Sequence, residues 1–329
     1  MKRTGLCLLL TAMVLLTGCA SRRDPLPETT LIPGTDATLP TVSEARVREN
    51  RDEATLWFRF LDEPYLAPET RVISQRSSQS YEMALLTALF DGPGTQHTEL
   101  RTLFPEGTYP LSTVRQGRRL LVTVSHEFLG TLRDEPADWR SDPGWREEIP
   151  LRRQLCMQSI VATVTENCDV DEVVVLVEQR DVISDSMRLR QSWFMLDEED
   201  DAPAPAQTRQ DTLLLTSRAT AEAVLTCWQR CDWERLYKYI AAVDPFTGEA
   251  RPEYKAFVTR MSELRRILAF DLHDCYIRDG GEEATASATF RLRMENGSES
   301  LLEARCLRLH RDGGIWKIGM SGLTGWMDE

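Results

Sequence analysis

The sequence is short of positive charge. Its 329 residues carry 39 Lys and Arg against 52 Asp and Glu, a formal net charge of -13. Nucleic-acid binding relies on clustered Lys and Arg set against phosphate, so this balance argues against a nucleic-acid partner. It argues equally against a body that lies flat on anionic lipid. Histidine is scarce, with only His97, His126, His273 and His310. No Gly-x-Ser-x-Gly, Gly-x-Gly-x-x-Gly, phosphate-loop or His-Glu-x-x-His pattern occurs, so the sequence carries no signature of a catalytic or cofactor site. His126-Glu127, at the end of a predicted strand, reads as a surface pair. Repeats are absent, and low complexity is confined to one acidic and Pro-Ala stretch. No catalytic residue, cofactor or metal is therefore expected.

Long apolar runs are also missing. Leu8–Leu16 is uncharged and almost wholly apolar, but a spanning helix needs about 20 apolar residues. Lys2 and Arg3 precede it and Leu16-Thr17-Gly18-Cys19 follows, the three parts of a secretory signal. The last four residues resemble the lipobox of bacterial lipoproteins. That resemblance implies a signal peptide over residues 1–18, cleavage between Gly18 and Cys19, and a diacylglyceryl thioether on the Cys19 sulfur. An ordinary secretory signal and an uncleaved anchor are the alternatives. Lipid on Cys19 makes the membrane a partner and puts the chain on its extracytoplasmic face, since acyl chains contribute about 0.8 kcal/mol per buried methylene. Loss of residues 1–18 removes Lys2 and Arg3, moving the net charge from -13 to -15. Residues 19–52, rich in Pro, Thr, Ser and charge, read as a flexible tether.

Cys7 leaves with the signal and Cys19 is lipidated, which leaves Cys156, Cys168, Cys227, Cys231, Cys275 and Cys306. An exported location permits disulfides, although spacing does not fix connectivity. Cys275 and Cys306 fall in two predicted strands of one domain and are the candidate pair. Cys227-x3-Cys231, His273-x-Cys275 and Cys306-x3-His310 offer two ligands each on one helix or strand face. The Cys-x2-Cys knuckles of most zinc sites are missing, however, and buried cysteine is a common small core residue.

Residues 53–185 show the order β-β-α-β-β-α-β. Ala54–Phe60 alternates and is aromatic-rich, Arg71–Ser74 is a second strand, and Tyr81–Leu89 has helical spacing behind Ser78-Gln79-Ser80. Thr113–Arg115 and Leu120–Val124 flank Gln116-Gly117 as a hairpin. Residues 133–144 read as a loop and Ile149–Val164 as a helix. Val173–Val177 is continuously apolar, as a buried central strand would be. Leu56-Trp57-Phe58, Leu66–Arg71, Leu89-Phe90-Asp91-Gly92-Pro93, Phe104–Thr108, Ser125–Phe128 and Ile160–Val164 together resemble the GerMN domain of sporulation and germination lipoproteins. The resemblance implies a two-layer α/β sandwich and a non-catalytic role. It also implies envelope protein partners and homo-oligomer formation, because GerMN domains resemble ring-building modules.

Residues 186–212, with Asp197–Asp201 followed by Ala202–Ala206, read as an acidic and Pro-Ala linker. Arg190–Leu196 just before is either an edge strand or a partner site. Residues 213–329 give helices first and then extended stretches at 269–278, 284–294, 301–311 and 316–318, with Gly and Asn-Gly turns between them. This is a helix-on-curved-antiparallel-sheet domain, so the whole chain is of α+β class. Cys231–Tyr237 and Gly314–Ile318 resemble the cone-shaped nuclear-transport-factor-2-like fold, which hosts many unrelated activities. The leading expectation is a membrane-anchored binding or scaffold module in sporulation, germination or envelope assembly. The alternative is a small-ligand or peptide-binding protein using a pocket of the C-terminal domain.

Overall fold

The computed structural model describes residues 50–76, 78–180, 185–193, 202–294 and 296–325. The expected signal, Gly18, Cys19 and the Asp197–Asp201 run lie outside the described residues. The protein is of α+β class, with three sheets among the described residues of the compact unit Val47–Glu329. No helix among the described residues is long and apolar enough to cross a membrane.

The first sheet has the order β2-β1-β3. Strand β1 (Asn50–Phe60) runs antiparallel to β2 (Leu66–Gln75) along its whole length, whereas β3 (Leu100–Arg101) reaches only Arg59 and Phe60 on its other edge. The rest of that edge still has backbone groups to satisfy. Helix α1 (Tyr81–Phe90) is capped by Ser80, whose hydroxyl accepts from Met83 N. Helix α2 (Pro143–Asn167) completes β1 in place of a strand. Residues 155–164 of α2 are all buried, as expected of a helix enclosed on every side. Its polar residues Ser159, Thr163 and Asn167 recur at four-residue spacing and so share one face. Trp57 N donates to Thr163 Oγ1 at 3.0 Å and Thr55 N to Asn167 Oδ1 at 2.9 Å. Ser159 Oγ donates to Trp57 O at 2.6 Å and Asn167 Nδ2 to Thr55 O at 2.7 Å.

Helix α2 begins six residues earlier than the apolar periodicity predicts. Asp142 caps it by accepting from Gly144 N, and Pro143 occupies the first turn, where its missing N–H costs nothing. Pro150 inside the helix masked this start, because interior proline normally marks a helix end.

The second sheet has the order β4-β5-β6-β7, formed by Pro110–Gln116, Arg119–Val124, Glu172–Glu178 and Ser186–Arg188. Strands β4 and β5 form the expected hairpin, and β6 lies parallel to β5 after the α2 crossover. The far edge of β6 is shared: β7 pairs with residues 176–178, and β8 (Gln207–Thr208) pairs with residues 172–173. The expected linker 186–212 is thus corrected in its described part. Leu189, Trp193 and Ala204 are buried, and Gln158 of α2 holds the returning chain through Thr208 O and Gln210 N. Its Pro-Ala composition concealed three anchors spaced too widely to show a period.

In the third region α3 (Ser217–Arg230) ends at Cys231, which takes a left-handed conformation (φ 57°), and Asp232 then caps α4 (Trp233–Lys238). Helix α5 (Tyr254–Glu263) follows. Strands β9 (Arg266–Ile277), β10 (Glu283–Arg293), β11 (Glu299–Asp312) and β12 (Ile315–Ile318) form an antiparallel meander. Ala284, Ala286, Ala288, Phe290 and Leu292 alternate inward along β10. Opposite Thr289 the β11 register shifts, with Ala304 at φ 50°, a bulge that bends the sheet. A last helix, α6 (Met320–Thr324), is too short to show a sequence period. Gly322 lets it touch β11, since a Cβ there would lie 2.5 Å from Arg308 O.

Among the described residues, ion pairs at two buried side chains, Glu63 and Lys317, join this region to the first. The Glu63 carboxylate, 4 % exposed, accepts from Arg235 Nε at 2.6 Å and Tyr239 Oη at 2.8 Å. Burial and the Glu63 charge both raise the Tyr239 phenol above its ordinary value. On the other side Lys317 Nζ meets Glu99 at 2.5 Å. Phe60 and Tyr239 rings pack at 5.5 Å, and Leu215 N donates to Leu66 O.

Two substitutions test this framework in denaturant unfolding of the purified protein. Thr163→Val keeps the shape but strands Trp57 N–H, and is expected to cost about 1–3 kcal/mol. Glu63→Ala leaves Arg235 without its buried partner and is expected to cost about 3 kcal/mol. Glu63→Gln keeps an acceptor for Tyr239 and should cost visibly less.

Candidate functional site

The residues singled out by sequence do not converge. Cys275 pairs in register with Ala286 on one side of β10, and Cys306 with Ser287 on the other. Ala286 and Ser287 are consecutive, so their side chains leave opposite faces of the sheet. The expected Cys275–Cys306 disulfide is therefore not made, and both thiols are free. Cys275 Sγ instead meets Ser217 Oγ at 3.3 Å on the helix side. Cys227 is buried in α3, where burial pushes its thiol up to about 12, while Cys231 is exposed. His273 Nε2 contacts Thr289 Oγ1 at 2.8 Å. Among the described residues no group of three or more His, Cys, Asp or Glu side chains is placed to hold a metal ion. His126 and Glu127 open a 3-10 turn, with Glu127 paired to Arg180 at 3.0 Å and His126 against Glu178 O.

What the sequence did not single out is a set of arginines around the start of α2. Arg59 projects from β1, and its side chain is 4 % exposed. It donates to Glu148 at 2.6 and 3.3 Å, to Asp62 O at 2.8 Å and to Glu63 O at 2.9 Å. Arg152 Nε donates to the same Glu148, and its Nη1 to Arg133 O at 2.9 Å. Burial works to raise the Glu148 carboxyl, but these two guanidiniums outweigh it and hold the group below its ordinary value. Arg59, Arg101, Arg133 and Arg152 line a cavity of about 320 Å³ whose apolar wall is Leu103, Phe104 and Leu132.

The next residue of α2, Arg153, faces a second cavity of about 430 Å³, shared with Val177, Met187, Leu189 and Trp193. Arg153 lies 5.6 Å from the Trp139 ring and 5.5 Å from that of Trp193, and pairs with Glu135 at 2.9 Å. The loop between the two cavities is thus clamped from α2 by Arg152 at Arg133 O and by Arg153 at Glu135. A signal for this arrangement was present in Leu56-Trp57-Phe58-Arg59-Phe60, where one arginine sits in an otherwise apolar strand. A buried guanidinium requires an acidic partner.

Outside this cluster, His310 is a buried imidazole whose Nδ1 has no hydrogen-bond partner among the described residues. Burial lowers its pKa from 6.5, against Asp312, Asp244 and Glu283, which act to raise it, while Lys317 acts to lower it. The unfolded imidazole takes up a proton that the folded one resists, so the stability it lends is full above about 6.5 and is lost as pH falls below that value. The stability difference between wild type and His310→Gln is expected to shrink from about pH 8 to about pH 5.5, measured by urea midpoints.

Residues 58–182 match the Germane family model, described as sporulation and spore germination. Among solved structures, the tandem GerMN domains of the sporulation protein GerM from Bacillus subtilis are similar at 16% identity, covering 50% of this chain and 48% of that one, with a TM-score of 0.32. This chain thus spans about half the length of that protein. The first GerMN domain of the same protein is similar at 15% identity, with 42% and 93% coverage and a TM-score of 0.29. The Delta 5-3-ketosteroid isomerase from Mycobacterium sp. is similar at 14% identity, with 31% and 88% coverage and a TM-score of 0.25. No curated protein matches the chain. Over residues 58–182, the chain carries a Germane, or GerMN-type, domain.

Proposed function

We propose that the protein is a lipid-anchored, non-catalytic binding module of the cell envelope that acts in sporulation, germination or envelope-complex assembly. The observation that carries this reading is the Germane domain over residues 58–182, a family described as sporulation and spore germination. Anchoring rests on Leu16-Thr17-Gly18-Cys19 behind an apolar run. The buried pairs of Glu63 with Arg235 and of Lys317 with Glu99 support a rigid body rather than two freely swinging modules. The partners are then the membrane, through lipid on Cys19, and envelope proteins or further copies of the chain.

A pocket in the curved sheet is the second reading. Trp228, Tyr239, Phe257 and Phe290 are fully buried in that region, and such filling favours recognition at the surface over enclosure of a small molecule there.

The test is made at Cys19 in intact cells. Wild-type protein should label with palmitate and stay in carbonate-washed membranes, whereas Cys19→Ala should lose the label and become soluble. In a spore-forming host, Cys19→Ala and gene deletion should share a defect in spore yield or germination rate. A Cys19→Ala protein that still resists carbonate overturns the anchor, and a deletion without any such defect overturns the process.

A further inference from the structure

We propose that the 320 Å³ cavity beside α2 is a carboxylate-binding site for a small apolar body such as the C-terminal residue of a peptide. This rests on the binding-module reading and names the chemistry it recognises.

Charge is the first support. Arg59, Arg101, Arg133 and Arg152 line the cavity. Against them stand Asp62 and Asp134 in the wall and Glu148, which Arg59 and Arg152 share. The four guanidiniums exceed the three carboxylates by one, in a chain whose net charge is -13. A monoanion balances that excess, whereas a dianionic phosphate overshoots it. Guanidinium forks also match carboxylate oxygens in geometry.

The donors are the second support. Arg59 makes four hydrogen bonds, to Glu148 and two backbone carbonyls, and serves as a fixed base for the site. Arg101 is exposed, and its guanidinium donates to the carbonyls of Thr98 and Leu100. No acidic side chain pairs with it among the described residues. Arg133 is 85 % exposed and sits 3.9 Å from Asp134, a loose contact. Two guanidiniums at the rim thus retain donors for an incoming anion, above an apolar wall of Leu103, Phe104 and Leu132.

Backbone strain is the third. Leu61 (φ 48°) and Asp134 (φ 63°) both line this cavity in left-handed conformations. For a bulky residue such as Leu61 that is a true outlier, and residues held this way gather at ligand clamps. Leu61 N donates to Glu99 O at 2.8 Å, so the strained turn is held in place from across the sheet edge. The volume lies at the small end of ligand pockets, which suits one residue-sized group.

The experiment uses full-length protein purified in detergent, at low salt, with three probes: N-acetyl-leucine, N-acetyl-leucinamide and inorganic phosphate. N-acetyl-leucine should bind saturably by calorimetry and raise Tm by mass action, while the amide and phosphate should bind at least tenfold more weakly. Arg101→Ala should weaken N-acetyl-leucine binding about tenfold with the ligand-free Tm unchanged. Arg133→Ala, at an exposed position, repeats the test should Arg101→Ala shift that Tm. Equal binding of the amide, tighter binding of phosphate, or an unaltered affinity in both variants overturns the proposal. Because no step depends on Cys19, the membrane experiment and this one fail independently.

Discussion

Four hydrogen bonds between the side chains of α2 and the backbone of β1 hold the two halves of the Germane region together. Strand β1 is bordered by β2 along one edge, and β3 covers only the last two residues of the other. Thr55 and Trp57 would otherwise present buried donors and acceptors with no ladder to join, each costing about as much as a lost hydrogen bond. Ser159, Thr163 and Asn167 supply what a strand would have supplied. This fixes the height and rotation of α2 against the first sheet. The same helix crosses from β5 to β6 and, through Gln158, holds the chain that completes the second sheet. One enclosed helix therefore sets the spacing of both sheets.

The position of the arginines follows from that constraint. With α2 locked to β1, Glu148 and Arg152 on its first turns come opposite Arg59 at the end of the strand. Buried charges of both signs then neutralise one another at a helix–strand crossing, and the guanidiniums left over line the cavity mouth. The junction with the C-terminal region uses the same device a few residues away. Glu63, in the turn that follows β1, is buried only because Arg235, Lys238 and Tyr239 meet it. The turn between β1 and β2 thus has the arginine cavity on one side and the inter-region contact on the other, and its strained Leu61 lies between them.

Much of the fold was legible locally. The alternation of β10, the Asn-Gly and Gly-Gly turns, the capping residue Ser80, and the apolar run of β6 each announce their element through nearest neighbours in sequence. Features that failed to show depend on distant partners. Pro150 obscured the first turns of α2, and β7 and β8 are too short to have a period of their own. The polar residues of α2 read as interruptions of an apolar face until β1 lies beside them. The cavity was the least legible, because Arg59, Arg101, Arg133 and Arg152 are spread over nearly a hundred residues and no motif connects them. Cys275 and Cys306 show the converse: two strands of one sheet looked pairable, yet β10 runs between them and the register turns the thiols to opposite faces.

The sequence by itself determined the composition of the layers. Apolar periodicity, turn chemistry and capping act over a few residues, so they specify helices and strands, their order and the α+β class wherever a short segment carries enough signal. It also determined the acidic balance and the Leu-Thr-Gly-Cys stretch on which the anchoring proposal rests. Only the tertiary structure decided which polar groups meet. Burial of Arg59, Glu63, Gln158 and Lys317 is permitted by partners far along the chain, and the low dielectric that makes those pairings matter exists only once the core has closed around them.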